Sequence, residues 1–186
     1  MHAFLISAGV VAVGEIGDKT QLLALLLALR FRRPWPIVLG ILTATLLNHA
    51  AAGALGTWLR TLVDANVLRY VVGGSFILIA LWALVPDKLG ERESKASTAL
   101  AVFTTTAIAF FLAEIGDKTQ VATIMLAARF DNLVAVVLGT TIGMLIADVP
   151  AVLLADRMGN RIPLKAIRFV AAGLFVALGV WTLLFR

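Results

Sequence analysis

The chain has 186 residues, 61% hydrophobic and only 15% charged, with a mean hydropathy of +0.98; ordinary soluble domains run at about 45–50% apolar and about 25% charged, so that class is excluded. The net charge of +5 comes from basic residues gathered where apolar runs end, a pattern of membrane topology, and no nucleic-acid partner is expected. With no Cys in the chain, disulfides, zinc ribbons and thiolate metal sites are excluded too.

Apolar runs bounded by charge, Pro or Gly predict transmembrane helices at 3–29, 35–57, 67–85, 99–128, 133–155 and 166–185. At 19 to 30 residues each is long enough for a hydrocarbon core that demands roughly 20, and all are too long and too uniformly apolar for barrel strands. The first run carries acids early and lacks a basic n-region, so it reads as a span and not as a cleaved signal. Arg30, Arg32, Arg33, Lys88, Arg92, Lys95, Arg157, Arg161, Lys165 and Arg168 fall on one side of the predicted membrane, and Arg60, Arg69, Arg129 and Arg186 on the other. The positive-inside rule then puts the odd-numbered loops in the cytoplasm and both termini outside. Trp35, Trp58, Trp82 and Trp181 lie near span ends and read as interfacial anchors in the lipid bilayer.

The chain repeats itself. EIGDKTQ occurs at Glu15–Gln21 and again at Glu114–Gln120, an offset of 99. At the same offset, eleven of the seventeen positions in 15–31 are identical to their partners in 114–130, and Gly40, Arg69, Gly74, Phe76 and Trp82 meet Gly139, Arg168, Gly173, Phe175 and Trp181. The expected fold is therefore an all-α integral membrane protein of six transmembrane helices arranged as two three-helix repeats. It forms a single membrane domain over 1–186, with repeats at 1–85 and 99–186 joined by a cytoplasmic linker at 86–98. Three is odd, so consecutive repeats must be inverted in the membrane, as in many secondary transporters.

Both acidic motifs sit near mid-membrane. On a continuous helix Glu15 and Asp18, at i and i+3, share one face, and Glu114 and Asp117 repeat the arrangement. An acid at the bilayer centre costs about 2.5–3.5 kcal/mol, so four are tolerated only in a wet cavity, with cations or protonated. A cation/proton exchanger uses all three conditions: ionised carboxylates hold a hard divalent ion, and protons displace it. Oxygen donors without sulfur, and only His2 and His49 in the chain, favour Mn²⁺, Ca²⁺ or Mg²⁺ over Cu⁺ or Zn²⁺.

The neighbouring residues leave alternatives open. Lys19 and Lys118, four residues after Glu15 and Glu114, either neutralise those acids within the helix or tune the pocket's charge. Gly17 and Gly116 serve close helix approach or a local break. Thr20 and Thr119 supply ligand oxygens or bond back to their own helix, and Gln21 and Gln120 act as direct or supporting ligands. On spans 2 and 5, Asn48 and His49 align with Ala147 and Asp148. Asn48 reads as interhelical glue, His49 as a core histidine or proton relay, and Asp148, beside Pro150, as a candidate for the ion or proton path.

Twin E-x-G-D-[KR]-[TS] motifs in two three-helix halves resemble the family of small cation/proton exchangers that includes Golgi manganese and calcium transporters, chloroplast relatives and bacterial manganese exporters. The resemblance spans essentially the whole chain. It implies that Glu15, Asp18, Glu114 and Asp117 form the cation site, supported by the neighbouring Thr and Gln. It also implies export of Mn²⁺ or Ca²⁺ from the cytosol against H⁺, with no prosthetic group and no enzyme activity. The absence of a targeting extension and of a long acidic central loop points to a bacterial plasma-membrane protein. Competing readings are an exporter of small amino acids or other cations on a related frame, and a passive cation channel. An intramembrane hydrolase lacks a His-rich metal set or a nucleophile near the motifs.

Overall fold

The computed structural model describes residues 1–83, 98–155, 169, 172–173, 176–177, 179–181 and 183–184. The expected linker up to residue 97, with Lys88, Arg92 and Lys95, the side chain of Trp82, the basic loop from Arg157 to Arg168 and half of the sixth span lie outside them. The described residues form α1 (His2–Glu15), α2 (Lys19–Phe31), α3 (Pro34–Leu62), α4 (Ala65–Ala83), α5 (Ala99–Glu114), α6 (Lys118–Arg129) and α7 (Leu133–Leu153). Local chemistry explains several of the starts. Pro34 opens α3, where a missing N–H costs nothing. Thr98 caps α5 by accepting from the Ala101 N–H at 3.2 Å, and Asn132 caps α7 by accepting from that of Ala135 at 2.9 Å.

α3 and α7 are long and apolar enough to cross a membrane, and α5 with α6 makes a third crossing if the pair, bent by 70°, is one span. The runs expected as single helices at 3–29 and 99–128 are thus each two helices. Their breaks fall at corresponding glycines: Gly17 at φ 81° and Gly116 at φ 72° occupy the left-handed region that glycine enters without a Cβ clash. The preceding Ile16 and Ile115 are extended, with ψ 117° and 119°. Pro150 leaves α7 unbroken, since the helix runs on to Leu153 and the Leu154 N–H still reaches the Pro150 carbonyl at 2.9 Å.

The surface is apolar, with Leu26, Leu39, Leu47, Leu55, Ile108 and Ile146 among its exposed side chains. Among the described residues the interior combines two apolar clusters with a set of polar groups. One cluster gathers Val72, Phe76, Met125 and Leu126, and the other Leu25, Ile37, Ile41 and Phe110. Buried polar side chains include Glu15, Asp18, Thr45, Asn48, His49, Glu114, Asp117, Lys118 and Asp148. An apolar exterior around a polar centre is the distribution required by a lipid solvent. Trp35, Trp58 and Trp181 are exposed, and Arg60 at the end of α3 forms an ion pair with Asp131.

Packing follows the sequence offset. α1 lies against α7 and α5 against α3, while α2 meets α7 and α6 meets α3. Gly139 of α7 abuts the Phe4 carbonyl and Ser7 of α1, and Gly40 of α3 abuts the Phe103 carbonyl and Thr106 of α5. Each residue of the second contact is offset by 99 from its equivalent in the first, so the same small-residue contact is made twice with the halves exchanged. The closest approach is at Gly56, where a Cβ would stand 2.1 Å from the Ile124 carbonyl oxygen. Gly56→Ala is expected to lower stability by about 1–3 kcal/mol through overpacking. A Cβ at Gly74 meets nothing within 4 Å, so Gly74→Ala should stay within about 0.5 kcal/mol of the parent. Thermal unfolding of both variants in detergent checks the pair.

Candidate cation site at the crossed helix breaks

The two breaks are built alike. Glu15 closes α1 and Asp18 stands at the N-terminal boundary of α2, as Glu114 closes α5 and Asp117 stands at that of α6, where its side chain also accepts from the Thr119 N–H. The backbone N–H of Asp18 donates to the Glu15 carbonyl at 3.0 Å, and that of Asp117 to the Glu114 carbonyl at 3.0 Å. The Gly17 N–H donates to Oε1 of Gln21 at 2.8 Å, and the Gly116 N–H to Oε1 of Gln120 at 2.8 Å. Each motif's terminal Gln thus satisfies a donor released by unwinding, in a reach-back akin to a capping box. Gln21 also donates from Nε2 to the Ala147 carbonyl at 3.0 Å, tying α2 to α7.

Because the helices break, the i, i+3 face expected for Glu15 and Asp18 does not exist as drawn from the sequence. Their proximity comes from the turn and from the opposite half. Ligand atoms of Glu15, Asp18 and Asp117 lie within 4.8 Å of one another, and all three residues are buried. Glu114 is not part of that group. Its Oε1 accepts from Thr45 at 3.0 Å, and its Oε2 faces Nε2 of His49 at 3.8 Å.

The lysines provide the electrostatic frame. An i, i+4 pairing of Glu15 with Lys19 presumes a continuous helix, whereas the short ion pairs cross between the halves. Nζ of Lys19 lies 2.8 Å from Oδ1 of Asp117, and Nζ of Lys118 lies 2.6 Å from Oδ1 of Asp18. Asp117 is fully buried, as is most of Lys118, while Lys19 keeps 22% of its side chain exposed. The hydroxyls orient the acids. Thr20 donates to Oε2 of Glu15, and Thr119 to Oδ2 of Asp117 at 3.1 Å.

On α3, Asn48 donates to the Phe111 carbonyl at 3.1 Å and so joins α3 to α5. His49 is buried, and neither of its ring nitrogens has a hydrogen-bond partner among the described residues. Asp148 on α7 is fully buried, and its two carboxylate oxygens also have no hydrogen-bond partner there. It lies within Coulombic range of Glu15, Asp18 and Glu114. Thr45 was not singled out from the sequence, although it sits three residues before Asn48 and four before His49 on one helix face. At the offset of 99, Thr45 and His49 correspond to Met144 and Asp148. The position equivalent to Thr45, whose hydroxyl donates to Glu114, thus carries a thioether in the other half, so the two identical motifs meet unlike partner helices.

Comparison with known proteins finds relatives along the whole chain. The family described as "Divalent cation/proton antiporter GDT1" matches the chain over residues 3–91 and 102–186. A Vibrio cholerae protein named "Putative manganese exporter" is 47% identical over 186 residues, covering 100% of this chain and 92% of that protein. A GDT1-like protein of Synechocystis sp. is 29% identical, covering 98% of each chain. A GDT1-like protein of Oryza sativa subsp. indica is 27% identical, covering 96% of this chain and 72% of its own length. No solved structure matches.

The break itself can be tested. A Cβ at Gly116 meets nothing within 4 Å, so Gly116→Ala probes backbone strain alone. The left-handed conformation should cost it roughly 1–2 kcal/mol. Gly116→Asn, which tolerates that region, should lose less. Thermal unfolding of the two variants reads the difference, and equal stability of Gly116→Ala and the parent would contradict the turn described.

Proposed function

Because the chain belongs to the GDT1 family of divalent cation/proton antiporters, we infer that it exports Mn²⁺ from the cytosol in exchange for H⁺ at a site formed jointly by the two helix breaks. The observation that carries this reading is the meeting of Glu15, Asp18 and Asp117, acids from both halves, at one buried point. An all-oxygen carboxylate set suits a hard divalent ion. The naming of the Vibrio cholerae relative as a manganese exporter supports Mn²⁺ as cargo, with Ca²⁺ the second candidate. Thr20 and Thr119 hold two of the carboxylates in position, while Gln21 and Gln120 support the unwound backbone. Glu114, with Thr45 and His49, and Asp148 form the polar surroundings through which protons reach the site.

The architecture belongs to the same reading. Six spans in two inverted three-helix repeats, 1–85 and 99–186, account for the offset of 99 and for packing contacts made twice with the halves exchanged. Transport then proceeds by rocking one half against the other about the crossed breaks, opening the acids to one side at a time. Metal leaves as protons take its place on the carboxylates. The excess of basic residues in the odd-numbered loops supports cytoplasmic placement of those loops, with both termini outside a bacterial inner membrane. The Arg60–Asp131 pair joins two residues that this orientation puts on one face.

Purified protein in liposomes under an imposed pH gradient is the test. Mn²⁺ should accumulate against its own gradient, and Glu15→Gln should cut the rate by at least about tenfold, as expected when a ligand charge is lost. Flux that ignores pH, or that is unchanged in Glu15→Gln, would overturn the assignment. Accumulation of Ca²⁺ but not of Mn²⁺ would reassign the cargo.

A further inference from the structure

The site's aspartates are already engaged by cations of the chain's own making. Asp18 of the first break receives Lys118 from the second at 2.6 Å, and Asp117 of the second receives Lys19 from the first at 2.8 Å. These are the same carboxylates that, with Glu15, come within 4.8 Å of one another. A divalent ion seated among them would share the carboxylates that the ammonium groups hold by Oδ1 of Asp18 and Oδ1 of Asp117, and the like charges would repel. The charges correspond, since two ammonium groups carry the charge of one divalent ion.

We propose that Lys19 and Lys118 are tethered competitors of the transported cation: each fills the opposite half's aspartate in the metal-free carrier, and the metal binds by displacing both. This inference rests on the cation-site reading above. Lysine suits the task because its ammonium is a point charge on a flexible stem, held by Coulomb attraction and not by a fixed fork geometry. A divalent ion exerts twice the pull on the same oxygens, so it wins at sufficient concentration. The cost of parting the two pairs is subtracted from its affinity, which keeps binding weak enough for release. Both pairs run between halves, so their exchange for metal also replaces two tethers between the breaks by one shared ion. Their equal and reciprocal placement argues against incidental surface pairing, as does the burial of Lys118 and both aspartates.

The experiment measures Mn²⁺ binding and Mn²⁺/H⁺ exchange for the parent, Lys19→Gln, Lys118→Gln, the double Gln variant and the double Arg variant. Removing the competitors should tighten Mn²⁺ binding, by about tenfold in the double Gln variant and by less in each single one, because no displacement is then required. KM and maximal exchange rate should fall together as release slows. The double Arg variant, which keeps both charges, should return towards the parent in both. The double Gln variant leaves two buried aspartates without these partners and is the one at risk of misfolding. In that event Lys19→Gln, at the more exposed pair, decides alone and should still bind more tightly than the parent. Binding that is unchanged or weaker in the folded Gln variants overturns the proposal, since a purely structural ion pair would give that result. If the parent itself neither binds nor exchanges Mn²⁺, it is the functional reading that fails.

Discussion

The structure turns on one constraint: backbone unwound inside a low-dielectric layer must have its polar groups satisfied by the protein, because lipid offers no partners. At Gly17 and Gly116 the chain unwinds, and the glycine N–H donates to the side-chain amide oxygen of the terminal Gln of each motif. The aspartate that opens each following helix meets a lysine from the other break. Neither break is complete by itself, so the two halves are fastened at the point where the backbone is least regular. The result concentrates charge, helix ends and unwound backbone in one buried volume, the combination that membrane carriers use to bind ions.

The rest of the fold serves this meeting. α3 and α7 are unbroken and long, and the broken segments lean on them in exchanged pairs, α1 on α7 and α5 on α3. Gly40 and Gly139 let the backbones approach at equivalent places. These contacts hold the breaks at a common level while apolar side chains face outward. The halves are nevertheless not identical where it matters chemically. Thr45 draws Glu114 towards α3, whereas the equivalent place on α7 is Met144, and Glu15 remains with the aspartates.

Much of this was legible in the sequence. The repeat was plain because a heptapeptide recurs whole at a fixed offset, and the acids stood out because charge within an apolar run is costly unless paired, solvated or protonated. Membership of an antiporter family was readable from the doubled motif. The breaks were not, since a glycine in an apolar run serves close packing or unwinding equally well, and only the backbone angles separate the two. Treating the runs as continuous helices then misdirected the lysines, which reach across to Asp117 and Asp18, and overstated the equivalence of Glu114 with Glu15. The hydroxyls fell between the two readings offered for them. Thr20 and Thr119 bond to the adjacent acids, an option that exists only because the helix stops between Glu15 and Thr20 and resumes on the other side of Gly17.

The central claim is that two half-motifs make a single site. Calorimetric titration of the purified protein with Mn²⁺ addresses it most directly, comparing the parent with Asp18→Asn and Asp117→Asn. The account predicts one Mn²⁺ per chain, lost or severely weakened in either variant alone. Two ions per chain, or one ion retained at parental affinity in either variant, would contradict it.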